Sequence, residues 1–492
     1  MKANVPIKFG TDGWRGIIAD DFTFANVRAC ARSVALYQQS QGLAERGLIV
    51  GYDTRFASED FAATVAEVVA AAGIKVYLCD RPAPTPVVTY AILEKRAGGA
   101  VVITASHNPA QWNGFKYRPE YAGSAPPGVT AALEAPLPEI LAAGEPDRLA
   151  LAEAEARGLL ERFDPRPAYM AHIADLVDLP RLRAAGLRAL VDSMYGAGAG
   201  YLADILSGGR IEVRELHGER NPAFPGMHNP EPIAHNLGEL SEAVRQDTAH
   251  VGLATDGDAD RLGVLDENGR FLTQLQVFGL LTYYLLEVRG LRGPIVKSLT
   301  TTRMVQRLGD LYGVPVYETP VGFKFLGPKM MEVDALVAGE ESGGYAVRGH
   351  MPERDGVLSG LLFLDFMVQT GKRPSALVED LYAKVGPHHY DRVDIQLRTE
   401  QRDEVWQRVS KSQPERLAGL RVTGHDTDDG FRYHLEDGGW LLIRFSGTEP
   451  LMRIYTEVSE AGLVPRLLEA GRELAGVPSG NDREGTQAEG SS

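Results

Sequence analysis

Between residues 47 and 104, short apolar runs alternate with helical patterns, and that alternation leaves few folds open. Residues 47–52 (GLIVGY) are apolar and end in the polar turn Asp53-Thr54-Arg55. Residues 61–72 carry an apolar face at helical spacing, and Gly73 is a natural stop. Residues 74–78 read as a strand, 85–93 as the start of a helix and 100–104 (AVVIT) as a buried strand. Strands alternating with helices build a parallel α/β sheet. The pattern recurs. Residues 187–192, 211–216 and 250–255 read as strands of a second unit, and 294–297, 314–319 and 334–338 as strands of a third. Residues 391–476 mix strands and helices differently and read as α+β.

A chain of 492 residues has room for three to four domains at roughly 100–200 residues each. The pattern predicts α/β domains over 1–145, 146–265 and 266–380, and an α+β domain over 381–476. Residues 123–160, rich in Ala, Pro and Glu, read as a connection between the first two. The tail, 477–492, lacks an apolar pattern and is expected to be disordered. A net charge of −15 argues against a nucleic-acid partner. Two cysteines, Cys30 and Cys79, exclude a disulfide framework. The N-terminus has no apolar signal core, and no apolar run reaches the roughly 18 residues that span a membrane. The expected location is therefore the cytoplasm.

Four segments concentrate chemistry. Thr104-Ala105-Ser106-His107-Asn108-Pro109 directly follows a buried strand, and ligands of open α/β sheets bind beyond such strand ends. Its hydroxyl and imidazole suit group transfer, although Ser, Asn and Pro also make plain turns. In Asp256-Gly257-Asp258-Ala259-Asp260-Arg261 three carboxylates alternate with small residues, a hard oxygen set that suits Mg²⁺. An EF-hand loop would also end on an acid, Glu267, but Arg261 stands where that loop needs glycine. Gly339-Glu340-Glu341-Ser342-Gly343-Gly344 offers acceptors for sugar hydroxyls, or a surface turn. Arg444-Phe445-Ser446-Gly447-Thr448 combines a guanidinium, two hydroxyls and free turn amides, a set that grips phosphate. Arg15 stands in the glycine-rich loop 9–16, and Lys116 lies ten residues after Ser106. Residues 196–200 (GAGAG) follow a strand but lack the spacing of a dinucleotide-binding loop.

The motifs TASHNP, DGDADR, GEESGG and RFSGTEP, with FGTDGWRG before them and NGFK after the serine, resemble the α-D-phosphohexomutase superfamily over about residues 8–475. That resemblance implies four domains around a central cleft, three α/β and a C-terminal α+β, each giving one loop. It implies a phosphoserine at Ser106, Mg²⁺ on Asp256, Asp258, Asp260 and Ser106, and a hexose 1,6-bisphosphate intermediate. Arg15, His107 and Lys116 match residues around the phosphoryl transfer, with Lys116 the general acid/base. Arg261, Lys324, Glu340, Ser342, Arg444, Ser446, Gly447 and Thr448 match substrate contacts. A hexose monophosphate is the implied partner, on a monomer or homodimer. Residues 319–325 (TPVGFKF) and GEESGG are closest to phosphoglucomutases, which favours glucose phosphate. Phosphomannomutase or dual specificity is the alternative. Phosphoglucosamine mutase follows, and then a hydrolase that passes phosphate to water.

Overall fold

A computed structural model describes residues 7–10, 12–445, 451–477 and 482–483. Four sheets organise them, of six, five, four and seven strands. The first three share one plan. In the first, Leu48–Tyr52 lies between Val76–Cys79 and Gly99–Ile103, all parallel, and Trp112–Pro119 returns antiparallel to Gly99–Ile103. In the second, Arg188–Asp192 lies between Glu212–Leu216 and Val251–Thr255, and Leu262–Leu265 returns antiparallel. In the third, Ile295–Ser298 lies between Val316–Thr319 and Val337–Gly339, and Tyr345–Val347 returns antiparallel. Each time the order is second, first, third, fourth. Each time the turn between third and fourth strands holds a chemically distinctive loop: Ser106, the aspartates, then Glu340.

The helices follow from local chemistry. Phe24–Ser40 starts where the Thr23 hydroxyl accepts the Asn26 amide. Gln274–Tyr283 opens with a full capping box between Thr273 and Gln276. Gly356–Thr370 is capped by Asp355, whose carboxylate accepts the Leu358 amide, and is apolar nearly all round because it is buried among the units. The C-terminal unit is an antiparallel sheet, with His389–Gln396, Trp440–Phe445 and Leu451–Val458 at its centre and two helices packed against it.

The first unit runs past the border expected at residue 145. Helices Pro127–Glu134, Leu137–Ala143 and Leu151–Ala156 lead to Leu160–Phe163, which pairs in parallel with Val76–Cys79 as the sixth strand. The Ala-, Pro- and Glu-rich connection is thus part of that layer. The second sheet likewise takes Phe271–Leu272, beyond 265, as its edge strand. Of the tail, Asp482–Arg483 pairs with Asp394 and Ile395, and 478–481 and 484–492 lie outside the described residues. No described helix is long and apolar enough to cross a membrane.

One apolar cluster runs through the first three units, from Ile7 to Val385. The fourth has its own core, built on Ile395, Leu441, Ile443, Ile454 and Leu467. A small seam of Leu299, Trp440, Leu442 and Tyr455 joins it to the third unit. Polar pins reinforce the seam: Thr302 Oγ1 and the Arg303 amide donate to Glu457 at 2.5 and 2.8 Å. The second and third units are pinned by Asp365, which is fully buried. It accepts from Arg181 at 3.0 and 3.1 Å, from Gln369 at 2.8 Å and from the Tyr284 hydroxyl. Removing that acceptor leaves the buried Tyr284 hydroxyl without an acceptor for its proton and unpairs the part-exposed Arg181, at about 3 kcal/mol. Asp365→Ala is expected to lower the thermal midpoint by roughly 3 °C, read by differential scanning calorimetry; an unchanged midpoint contradicts the assignment.

Candidate active site

Ser106 sits just past the end of Gly99–Ile103, at φ +53°, in the left-handed region. For a non-glycine residue that costs about 1 kcal/mol or more, so the loop must be held. Arg55 holds it. Its fully buried guanidinium donates to four main-chain carbonyls, those of Ser106 (2.8 Å), Asn108 (2.5 Å), Pro109 (2.9 Å) and Trp112 (3.0 Å). Asp53 pairs with the same guanidinium at 3.3 Å. In this conformation Ser106 Oγ donates to Asp256 Oδ2 at 2.8 Å, and His107 Nδ1 lies 3.3 Å from the same hydroxyl. The Asn229 side chain ties down the His107 carbonyl at 2.9 Å.

Asp256, Asp258 and Asp260 are fully buried and can present oxygens within 4.8 Å of one another. Asp256 Oδ1 accepts the amides of Asp260 and Arg261 at 3.0 and 3.1 Å, which folds the loop back on itself. Asp258 Oδ2 accepts from Thr85 Oγ1 at 2.6 Å and from Lys116 Nζ at 2.8 Å. Burial, then the neighbouring Asp260 and Asp258 carboxylates, push the Asp256 carboxyl far up from its ordinary value. Burial pushes Asp258 the same way, but the charge and hydrogen bond of Lys116 and the hydrogen bond of Thr85 together outweigh it, and the net direction is down. Asp258 Oδ1 and both oxygens of Asp260 are buried with no hydrogen-bond donor among the described residues. Hard oxygens, converging and lacking donors, fit Mg²⁺.

Lys116 is buried between Asp12 (2.6 Å) and Asp258 (2.8 Å), with Asp260 at 3.6 Å. Burial lowers its proton affinity, and these three carboxylates more than restore it, so Lys116 rests as an ammonium. His107 is driven the other way. Burial, then Arg261, Arg15, Lys116 and Arg453, lower its pKa well below the usual value, so it rests neutral. Arg15 donates to Asn108 Oδ1 at 2.5 Å. Arg261 pairs with Glu231 at 3.0 Å and reaches Asp256 and Asp260 at 4.0 and 3.9 Å.

The third loop arrives through Glu340, which accepts from Ser342 at 2.7 Å and from Arg354 at 3.0 Å. Its neighbour Glu341 turns to the fourth unit instead, accepting from Tyr390 at 2.7 Å and from Arg392 at 2.8 and 3.0 Å. Arg444 donates to Asp429 at 3.0 Å, and Asp429 accepts the Val321 amide at 2.9 Å, so the end of the strand Trp440–Phe445 is tied to the segment before Lys324. Burial lowers the Lys324 pKa, and Asp429, Arg444 and Asp12 are its charged neighbours. Ser446, Gly447 and Thr448 lie outside the described residues.

The fold thus gathers Ser106, His107, Arg15, Lys116, the three aspartates and Arg261 in one place, and sets Glu340 and Ser342 beside them. Sequence reasoning missed Asp12, Arg55, Thr85, Glu231 and Arg354. Arg55 could have been found, because it follows Leu48–Tyr52 at the sheet edge where Ser106 follows the neighbouring strand Gly99–Ile103. The glycines of 196–200 have a packing role. A Cβ on Gly196 would lie 2.8 Å from the Gly257 carbonyl, and one on Gly198 would lie 2.6 Å from Thr255 Oγ1. They let the second unit close under the aspartate loop.

Comparison with known proteins agrees with the four-unit fold. Models of phosphoglucomutase/phosphomannomutase α/β/α domains I, II and III match residues 6–142, 167–269 and 275–385, and that of the C-terminal domain matches 396–474. A phosphoglucomutase/phosphomannomutase of Thermococcus kodakarensis is 29% identical over 466 residues, covering 95% of this chain and 98% of its own. A phosphoglucosamine mutase of Carboxydothermus hydrogenoformans is 29% identical over 472 residues, covering 94% and 97%. A solved structure from Thermus thermophilus, provisionally named a phosphomannomutase, is 36% identical with a TM-score of 0.83, over 97% of this chain and all of its own (100%). Fold and site together define a phosphohexomutase, an isomerase of the α-D-phosphohexomutase superfamily. Within it, the chain belongs to the phosphoglucomutase/phosphomannomutase family.

Two outcomes follow from the geometry. A Cβ on Gly257 would lie 2.5 Å from the Ser106 carbonyl, and its backbone φ is not left-handed, so the demand for glycine is purely spatial. Gly257→Ala should part the serine and aspartate loops and lower kcat about 10²-fold with unchanged circular dichroism; kcat within a few-fold of wild type contradicts the contact. His107 binds its proton less readily folded than unfolded, so its contribution to stability is present above about pH 6.5 and falls as pH drops below it. Its ¹⁵N shifts should report a neutral ring at about pH 6; an imidazolium there contradicts the reading.

Proposed function

We propose that this phosphohexomutase interconverts glucose 1-phosphate and glucose 6-phosphate through a phosphoserine at Ser106. The observation that carries the reading is the Ser106 hydroxyl, donating at 2.8 Å to Asp256 in a buried carboxylate triad with Lys116 alongside. A hydroxyl of the hexose monophosphate attacks the phosphoryl group on Ser106. The new O–P bond forms as the Oγ–P bond breaks; the Lys116 ammonium gives a proton to the departing Ser106 Oγ, and the amine so formed takes the proton of the attacking hydroxyl. Glucose 1,6-bisphosphate results and turns over in the site. Its other phosphoryl group then returns to Ser106, leaving the isomeric monophosphate.

Phosphoryl transfer is mainly positioning and charge neutralisation. A phosphoserine brings about −1.5 to −2 charge. Asp256, Asp258 and Asp260 would hold Mg²⁺, which when bound supplies positive charge to the phosphoryl oxygens. Arg15 adds a guanidinium, and neutral His107 a hydrogen bond without a further charge. Glu340 and Ser342 receive the sugar hydroxyls. Lys324 and Arg444, with Ser446, Gly447 and Thr448, receive the phosphate that is not transferred. Residues 319–325 and the GEESGG loop support glucose over mannose and glucosamine. The four proposed domains follow the expected order, the first extended to Phe163 and the second to Leu272 by their edge strands, and cytoplasmic residence accords with a diffusible hexose phosphate.

Ser106→Ala should lower mutase activity by at least about 10³-fold with the fold intact; near-full activity with bisphosphate supplied refutes the phosphoserine role. Excess EDTA should abolish activity and Mg²⁺ restore it. Compared as 1-phosphates, glucose should give a higher kcat/KM than mannose or glucosamine, and a reversed order overturns the sugar assignment.

A further inference from the structure

Among the described residues, Arg354 is the one with a side chain seen to touch the N-terminal loop, the aspartate loop and the Glu340 loop together. It directly precedes Asp355, the cap of Gly356–Thr370, so its backbone is fixed at a helix start. The side chain is 5% exposed. Nη1 donates to Glu340 Oε1 at 3.0 Å, and Nη2 donates to Asp12 Oδ2 at 2.8 Å. Nε donates to Glu353 Oε1 at 3.2 Å. Nη2 also pairs with Asp260 Oδ2 at 2.9 Å, off the hydrogen-bonding direction. Asp12 in turn holds Lys116 at 2.6 Å. One planar fork therefore sets the distance from Glu340 to both Lys116 and the aspartates, a task an ammonium cannot do in full.

Gly344 adds an independent observation. A Cβ there would lie 2.1 Å from Arg354 Cδ and 2.5 Å from Cγ. Its φ is not in the left-handed region, so space for the Arg354 stem is what the position requires. The bonds on Glu340 are also one-sided. Ser342 and Arg354 both donate to Oε1, and Oε2 takes no bond from any described residue.

We propose that Arg354 is a positioning residue for the isomerisation: it clamps Glu340 by Oε1 and so presents Oε2 as the acceptor of a sugar hydroxyl, in register with Lys116. The inference rests on reading Glu340 as a hydroxyl-binding residue. Without Arg354, Glu340 keeps one hydroxyl donor and is repelled by Asp12 and Asp260.

The test is a double-mutant cycle in the full-length enzyme with glucose 1-phosphate, using Arg354→Met, Glu340→Gln and the pair. Each single change is expected to lower kcat/KM about 10²-fold, and the pair to be no worse than the poorer single. Arg354→Lys should recover about tenfold of the Arg354→Met loss. Gly344→Ala should reproduce the loss, and add nothing in an Arg354→Ala background. A merely structural role predicts losses that multiply, and multiplying losses overturn the proposal, as does Arg354→Met within threefold of wild type. If Arg354→Met does not fold, Arg354→Lys takes its place in the cycle under the same criterion. Failure of the underlying reading shows separately: either wild type isomerises none of the glucose, mannose and glucosamine phosphates, or Glu340→Gln is as active as wild type.

Discussion

Three buried carboxylates within reach of one another are the arrangement that the rest of the site answers to. Two like charges about 4 Å apart repel by roughly 4 kcal/mol at an effective dielectric near 20, and each also loses hydration. The fold meets that cost with cations and donors drawn from several units: Lys116 and Thr85 from the first, Arg261 beside the loop itself, Arg354 from the third. The oxygens of Asp258 and Asp260 that still lack donors are the part of the charge left for a divalent ion. Lys116 stays protonated for the same reason, and Ser106 finds a carboxylate to donate to.

Geometry of this kind is economical when one supersecondary plan is used repeatedly. The first three sheets share a strand order, and each places its loop between the third strand and an antiparallel return. In the fourth unit, residues 446–450 likewise lie between the antiparallel pair Trp440–Phe445 and Leu451–Val458. The strand order is common to the first three sheets. Sheet order depends on hydrophobic pattern and connection handedness, which many sequences satisfy, whereas the loops have diverged to separate tasks: a hydroxyl, a carboxylate triad, sugar acceptors.

Much of the site was legible because its residues come in contiguous motifs. TASHNP and DGDADR place hydroxyl, imidazole and three acids on short loops, where the spacing itself restricts what they can bind. The strand–helix alternation was legible for a related reason, since apolar period and glycine stops are local. The domain borders were less so. Leu160–Phe163 joins the first sheet across a polar, Ala-rich stretch, and only the partner strand Val76–Cys79 shows where it belongs. The glycines at 196 and 198 lack the spacing of a dinucleotide-binding loop, and nothing local shows their role, which is to admit Gly257 and Thr255, some 60 residues away.

By itself the sequence determined the class of chemistry, the places of the first three loops and the α/β character of the first three units, because each depends on residues close together in the chain. Tertiary structure alone decided which groups share charge. Asp12 and Arg354 are 342 positions apart and meet at 2.8 Å. Arg55 holds the serine loop by main-chain carbonyls, which carry no residue-specific signature. Whether a buried lysine rests charged and a histidine beside it neutral depends on the sum of neighbours in three dimensions, and that sum exists only once the sheets have packed.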